Sequence, residues 1–92
     1  MKTDIITLVV KRVPLTKYPT FADRLKYIMS LRGYSGQKLA NRVFVSHSTI
    51  SGYRNGTRMP DTNILCRIAQ ELQVSTDFLL GFVDYIIVQE YK

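Results

Sequence analysis

The chain has 92 residues, of which 46% are hydrophobic, and a formal net charge of +6 at pH 7. That length suits one compact domain with a modest core and leaves no room for a second domain. The single cysteine, Cys66, excludes an intrachain disulfide and a cysteine metal cluster, so we expect a protein of the reducing cytoplasm.

Residues 5–10 are mostly β-branched and, except for Thr7, aliphatic, which predicts a strand that continues towards Val13 and stops at Pro14. This apolar run is far below the roughly 18 residues needed to cross a bilayer, so we expect neither a secretion signal nor an anchor. Pro14 and Pro19 deny the backbone donors that a helix needs and indicate a stiff connector. Residues 1–20 are therefore interpreted as an N-terminal strand and linker.

Residues 21–81 show the periodicity of five helices, each with its own start and stop signals. The predicted starts are Thr20, Ser35, Ser46, Pro60-Asp61 and Ser75, and the predicted stops include Gly33, Asn55-Gly56 and Gly81. The predicted inward residues are Phe21, Leu25, Ile28, Met29, Leu39, Ala40, Val43, Ile50, Tyr53, Ile64, Leu65, Ile68, Ala69, Leu72, Phe78, Leu79 and Leu80. Cys66 is expected to pack on or near the apolar face of the fourth helix.

Residues 83–88 return to strand composition, so residues 82–92 are interpreted as a C-terminal strand or arm. An unpaired hydrophobic strand is prone to aggregation. Two pairings therefore remain open, one between the two terminal arms of a single chain and one between the arms of two chains.

Charge is polarised along the chain. Seven basic residues and no acid lie between Asp23 and Asp61, whereas the segment from Asp61 to the end has five acids and two bases. Because a stretch of like charge repels itself, its presence on a folded surface predicts a polyanionic partner, with double-stranded DNA as the first candidate.

Within the basic stretch, Ala40 and Ile50 have the spacing of the small and aliphatic residues that lock two short helices at a sharp angle. Residues 35–56 read SGQKLANRVFVSHSTISGYRNG, with Arg58-Met59-Pro60 following. From about residue 21 to residue 81 the chain resembles the Cro and phage-repressor (XRE-type) family of helix-turn-helix regulators. The resemblance implies a mainly α, five-helix lambda-repressor-like domain, here with short terminal β-arms, that is usually dimeric on an inverted repeat and reads bases with its third helix.

Two residues depart from the family pattern. Phe44 stands in the turn where the family usually has glycine, so the turn must either adopt a strained positive φ or change shape. Arg54 stands where the family often has a glutamate that pairs with the first helix, whose matching position here is Met29. We therefore expect Arg54 to contact phosphate.

The base-reading positions that the resemblance implies are His47, Ser48, Ser51 and Gly52. The phosphate-contacting positions, which helix N-termini and basic charge also favour, are Gly36, Gln37, Lys38, Arg42, Thr49, Arg54, Asn55 and Arg58. Serine hydroxyls bond donor or acceptor base edges with little discrimination, so we expect modest specificity per half-site, supplemented by DNA shape and dimer spacing.

No catalytic, cofactor or metal site is predicted, because the one histidine has no second ligand or carboxylate at any motif spacing. The favoured function is a sequence-specific duplex-DNA regulator, a repressor that binds an inverted-repeat operator as a homodimer. Two alternatives remain: an antitoxin-type regulator whose arm binds a toxin, and an interaction module that kept the helix-turn-helix fold without base readout.

Overall fold

The computed structural model describes residues 6–91, and in this part of the chain it contains five helices and two strands. In chain order these are β1 (Ile6–Arg12), α1 (Phe21–Arg32), α2 (Gly36–Val43), α3 (His47–Asn55), α4 (Thr62–Leu72), α5 (Thr76–Leu80) and β2 (Tyr85–Tyr91). The predicted mainly α, five-helix fold with short terminal strands is confirmed.

Side-chain caps set the helix starts, as the sequence predicted. Thr20 accepts the Asp23 N–H while the Asp23 carboxylate reaches back to the Thr20 N–H, which forms a capping box at α1. At α2, α3 and α5 the cap is a serine, Ser35, Ser46 or Ser75, whose side chain accepts the N–H three residues on without the reciprocal bond of a capping box. At α4 the cap is Asp61, so that helix begins at Thr62 and leaves Pro60 outside it.

The core is built from the apolar faces of all five helices, together with Val13 after β1 and Ile86 of β2. Its buried members are Val13, Phe21, Leu25, Ile28, Met29, Leu39, Ala40, Val43, Ile50, Tyr53, Ile68, Ala69, Leu72, Phe78, Leu79 and Ile86. Ile64 and Leu65 pack against this core while remaining half-buried, and Leu80, predicted to face inward, is 40% exposed. We call α1–α5 the helical body.

The two strands pair with each other within the chain, antiparallel, with Ile6 opposite Tyr91 and Arg12 opposite Tyr85. The structure thus adopts the intrachain pairing of the two that the sequence left open. Strand β2 starts at Tyr85, later than the predicted Val83. Just before it, the Val13 N–H donates to the Asp84 carbonyl at 2.7 Å. Residue Ile5, the predicted first residue of β1, lies outside the described residues.

We call β1 and β2 together the ribbon. One face of the ribbon carries alternate residues of β1, starting with Ile6, and their partners on β2, and we call it the outer face. Its exposed apolar side chains are Ile6, Leu8, Val10, Tyr85 and Ile87. A guanidinium joins the ribbon to the helical body, since Arg32 Nε donates to the Leu72 carbonyl at 3.0 Å and its Nη2 donates to the Ile87 carbonyl at 3.3 Å.

The predicted packing of Cys66 is wrong, because its side chain is exposed. Each residue of a helix turns by about 100°, so Cys66 is rotated by that angle from its half-buried neighbour Leu65 and away from the buried Ile68 and Leu72. The apolar stripe of α4 ends before it reaches Cys66.

Candidate nucleic-acid interface

The α2–α3 pair has the predicted packing at its junction. Ala40 and Ile50 are both fully buried in the core, and the Val45 N–H donates to the Ala40 carbonyl at 3.1 Å across the turn. Because a small and an aliphatic residue are buried where the helices meet, the two helices approach closely and hold α3 at the surface.

The turn between these helices adopts the strained alternative of the two that the sequence allowed. Phe44 caps α2 with φ 65° and ψ 44°, a left-handed conformation that is costly for a bulky side chain. The ring is 81% exposed, with the Arg67 guanidinium carbon 6.0 Å from its centre. The turn therefore keeps a glycine-like geometry without a glycine.

Three of the four predicted base-reading positions present their side chains at the surface of α3: His47, Ser48 and Ser51 are exposed. Gly52 is buried, and a Cβ there would lie 2.7 Å from Arg58 Cδ and 2.9 Å from Arg58 Cγ. The structure thus separates Gly52 from the other three positions, because the aliphatic stem of Arg58 covers it.

The start of α2 brings together three of the predicted residues. A Cβ on the buried Gly36 would lie 2.8 Å from His47 Nε2 and 3.2 Å from Arg54 Nη1. Two side chains of α3 therefore approach the first residue of α2, where backbone N–H groups and the helix dipole favour an anion. The sequence indicated the helix start but not this close approach.

Two further basic side chains of the predicted phosphate set lie along α2. The Lys38 ammonium lies 4.3 Å from the centre of the Tyr34 ring. Arg42 Nε donates to Glu71 Oε1 at 2.7 Å, and the Tyr34 hydroxyl donates to the same oxygen at 2.7 Å. Arg42 is thus tied to α4 by a carboxylate.

Glu71 was missed as a member of this surface, because the sequence grouped it with the acids expected to face water. Hydrogen bonds from Arg42 and then from Tyr34 hold the pKa of Glu71 below its ordinary value. The same contacts raise the pKa values of Arg42 and Tyr34. Arg42 and Glu71 are 29 residues apart, so no local spacing in the sequence signals the pair.

The remaining phosphate candidates lie around the ends of α2 and α3. Gln37 Nε2 donates to Asn41 Oδ1 at 2.8 Å. Asn55 Oδ1 accepts from the N–H of Thr57 at 3.0 Å and from its hydroxyl at 2.6 Å. The Thr49 hydroxyl accepts from Arg58 Nη1 at 3.1 Å. The Gln37 side-chain nitrogen and the Asn55 side-chain oxygen thus make local hydrogen bonds, whereas Thr49 and Arg58 are hydrogen-bonded to each other.

Other kinds of site receive no support within residues 6–91. No group of three or more histidine, cysteine, aspartate or glutamate side chains there is arranged to hold a metal ion. None of the helices described is long and apolar enough to cross a membrane.

A family model described as helix-turn-helix matches residues 25–79 of this chain. The HTH-type transcriptional regulator ImmR of Bacillus subtilis (strain 168) is 34% identical over 62 residues, which are 67% of this chain and 49% of ImmR. YonR, an SPbeta prophage-derived uncharacterized HTH-type transcriptional regulator from the same organism, is 37% identical over 60 residues, or 65% of this chain and 56% of YonR. The chain spans about half the length of these curated relatives.

Solved structures share the fold. A transcriptional regulator from Listeria innocua is 28% identical with a TM-score of 0.64, and the match covers 73% of this chain and 63% of the regulator's chain. The P22 c2 repressor in complex with a synthetic operator has 24% identity and a TM-score of 0.64, covering 66% and 92%. The restriction-modification controller C.AhdI of Aeromonas hydrophila has 23% identity and a TM-score of 0.62, covering 65% and 91%.

The last two structures are so distant in sequence that they show the fold alone. The family model, by contrast, matches more than half of the chain and includes the whole α2–α3 pair. The chain belongs to the Cro/C1-type (XRE) helix-turn-helix family of DNA-binding transcriptional regulators.

Proposed function

We propose that the chain is a sequence-specific duplex-DNA-binding regulator of the cytoplasm that represses by occupying an inverted-repeat operator as a homodimer. The observation that carries the proposal is the exposed face of α3. Three polar side chains, His47, Ser48 and Ser51, lie there, and neither α2 nor α3 contains an acid. A face of this kind accepts an anionic duplex without unpaired negative charge.

Phosphate binding is proposed first at the N-terminus of α2. The side chains of His47 and Arg54 both approach Gly36 there, so a phosphate would meet backbone N–H groups and a guanidinium together. Lys38, in the first turn of the same helix, is exposed and adds a second positive charge to that of Arg54. These contacts would fix the register of α3 on the duplex while carrying no sequence information.

Arg42 has a different place in the proposal. Its ion pair with Glu71 neutralises part of its charge, and a phosphate would have to compete with a 2.7 Å hydrogen bond. We therefore expect Arg42 to contribute less to the salt dependence of DNA binding than Lys38, Arg54 or Arg58.

Base reading is proposed for His47, Ser48 and Ser51. None of them makes the bidentate contact of arginine with guanine or of asparagine with adenine. We expect each half-site to discriminate weakly and the dimer spacing and DNA shape to supply further selectivity.

For the dimer we propose that the second copy docks on the outer face of the ribbon. Leu8 and Val10 are 66% and 55% exposed there, and within residues 6–91 the outer edge of each strand has no strand paired to it. The charged Arg12 on this face is paired with Asp84 at 2.9 Å, so the ribbon adds little repulsion between two copies of a chain with charge +6.

Selection from a random pool of duplex DNA at physiological salt tests the function. Sequencing of the bound fraction is expected to give an inverted repeat whose half-sites lie about one helical turn apart, roughly 10 base pairs centre to centre, or a multiple of it. A well-folded protein that enriches no sequence would contradict the proposal.

Sedimentation of a Leu8→Asp, Ile87→Asp variant tests the dimer. Two charges on the outer face are expected to raise the dimer dissociation constant at least tenfold while the helical circular dichroism is unchanged. The matched control is Leu80→Asp, on a side chain that is 40% exposed at the end of α5. Dissociation by the control and not by the ribbon variant would place the interface on α5 instead.

The exposed ribbon also supports a second candidate, an antitoxin-type regulator whose ribbon binds a toxin by strand addition or apolar contact. An interaction module without base readout would use the same surface. Both differ from the first proposal in where the partner lies, because neither ribbon contact needs α3. Tight binding of a protein partner that persists in Ser48→Ala and is lost in the Leu8→Asp, Ile87→Asp variant would favour these two candidates.

A further inference from the structure

A chain of hydrogen bonds at the start of α3 links Arg58 to Ser48. Arg58 Nη1 donates to Thr49 Oγ1 at 3.1 Å, Thr49 Oγ1 lies 2.8 Å from Ser46 Oγ, and Ser46 Oγ lies 3.1 Å from Ser48 Oγ. The sequence assigned Arg58 to phosphate alone. These contacts connect it also to a predicted base-reading side chain.

Gly52 makes this arrangement sterically possible. A Cβ at that position would lie 2.7 Å from Arg58 Cδ and 2.9 Å from Arg58 Cγ, closer than real Cβ atoms approach other carbons. Any larger residue at position 52 would therefore push the Arg58 stem off α3 and take its guanidinium away from Thr49.

The number of hydroxyl protons allows two directions of donation along this chain of hydrogen bonds. The Ser46 hydroxyl has one proton and two lone pairs, and one lone pair already accepts the Thr49 N–H at 3.1 Å. Of its two remaining bonds, one must therefore use the proton of Ser46 itself. Either Thr49 donates to Ser46 and Ser46 donates to Ser48, or Ser48 donates to Ser46 and Ser46 donates to Thr49.

Arg58 selects the first direction. Its guanidinium only donates, so the oxygen of Thr49 faces the cation and the Thr49 proton points away from it, towards Ser46. Ser46 then donates to Ser48, and each bond polarises the next in the same sense. In the opposite direction the Ser46 proton would point towards the positive charge.

In the favoured direction Ser48 accepts from Ser46, and its own proton remains to donate outward. We infer that Arg58 is a specificity-determining residue, because it makes Ser48 a donor that reads acceptor atoms on the base it faces. Guanine, adenine and thymine present acceptors in the major groove, whereas cytosine presents an amino donor. The inference rests on the proposed function and names a base preference within it.

The test is the random-duplex selection repeated with four variants. Ser48→Ala identifies the base position that Ser48 faces. Arg58→Met keeps an aliphatic stem over Gly52 and removes the donor, whereas Gly52→Ala keeps the charge and displaces the stem. Lys38→Met is the matched control, since it removes one positive charge outside the chain of hydrogen bonds.

Wild-type sites are expected to be depleted in cytosine at the Ser48 position by about threefold to fivefold, less than a bidentate base contact would give. Arg58→Met and Gly52→Ala are each expected to lose that depletion and keep the other positions. Lys38→Met is expected to weaken binding to all sequences and to keep the depletion.

A depletion that survives both Arg58→Met and Gly52→Ala, or one that Lys38→Met also abolishes, would overturn the inference while leaving the proposed function intact. Failure of the wild type to enrich any sequence would overturn the proposed function and the inference with it.

Discussion

The helical body and the ribbon bury their apolar side chains in opposite ways. In the body Leu25, Leu39 and Ile50 are fully buried, whereas on the ribbon Leu8 and Val10 are more than half exposed. Residues of similar hydrophobicity thus stabilise the fold in one region and remain accessible in the other. The difference teaches that most of the buried core lies in the body, to which the ribbon adds Ile86, and that the outer face of the ribbon is available for assembly.

The largest expected effect separates the two regions by one matched substitution. Leu25→Ala removes a fully buried side chain and is expected to lower the free energy of unfolding by about 2–5 kcal/mol, since it leaves a cavity. Leu8→Ala removes a side chain that is 66% exposed and is expected to change the stability of the monomer by about 0.5 kcal/mol or less. Urea unfolding at a concentration where the protein is monomeric measures both, and equal losses would contradict the division.

Arg24 lies where the linker meets the helical body, and its replacement is expected to cause the next largest loss in the free energy of unfolding. This buried guanidinium donates to the Tyr18 carbonyl at 2.6 Å and to the Leu79 carbonyl at 3.1 Å. Burial lowers its pKa, which the neighbouring Asp23 carboxylate partly offsets. Arg24→Ala leaves both carbonyls without this donor and is expected to cost about 1–3 kcal/mol in urea unfolding. Arg67→Ala, on an exposed arginine, is the control and is expected to cost little.

Phe44 is a strained position within the otherwise well-packed body. Because Phe44 has φ 65° and an exposed ring, Phe44→Gly is expected to raise the free energy of unfolding by about 1 kcal/mol. Gly33→Ala is the inverse test: at φ +74°, with no atom within 4 Å of the place that a Cβ would take, it is expected to destabilise by about 1 kcal/mol through backbone strain alone. A loss of stability in Phe44→Gly would show that the ring contributes more than the backbone costs.

The smallest effect concerns the pH dependence of the Arg42–Glu71 contact. The folded-state pKa of Glu71 lies below its ordinary value of 4.5, first because Arg42 donates to it and then because Tyr34 does. Its contribution to stability is therefore present above the unfolded-state pKa and is lost as the pH falls through the folded-state pKa. We expect the urea midpoint of the wild type to fall more than that of Glu71→Gln between about pH 6 and about pH 3. Parallel profiles would contradict the assignment.

The sequence predicted those features that depend on neighbouring residues. Caps such as Ser35 and Ser46 act on an N–H three residues away, so local sequence identified the helix starts. Most tertiary contacts were beyond it: the sequence could not choose between two pairings of the strands, and it gave no sign that Arg42 meets Glu71 from another helix. The packing of the Arg58 aliphatic stem against Gly52 depends on a side-chain conformation, which sequence spacing does not encode.

The most direct test of the central claim, that the basic face of the helical body binds duplex DNA, is the affinity for DNA as a function of salt. Apart from Arg42, which Glu71 holds in an ion pair, the basic candidates are Lys38, Arg54 and Arg58. Three phosphate contacts give a slope of about −2.7 in log K against log salt, or roughly a fortyfold loss per chain between about 50 and about 200 mM. Such a loss, smaller in Lys38→Met, is the result expected. An affinity that hardly responds to salt would contradict the account and favour an interaction module that docks through the ribbon.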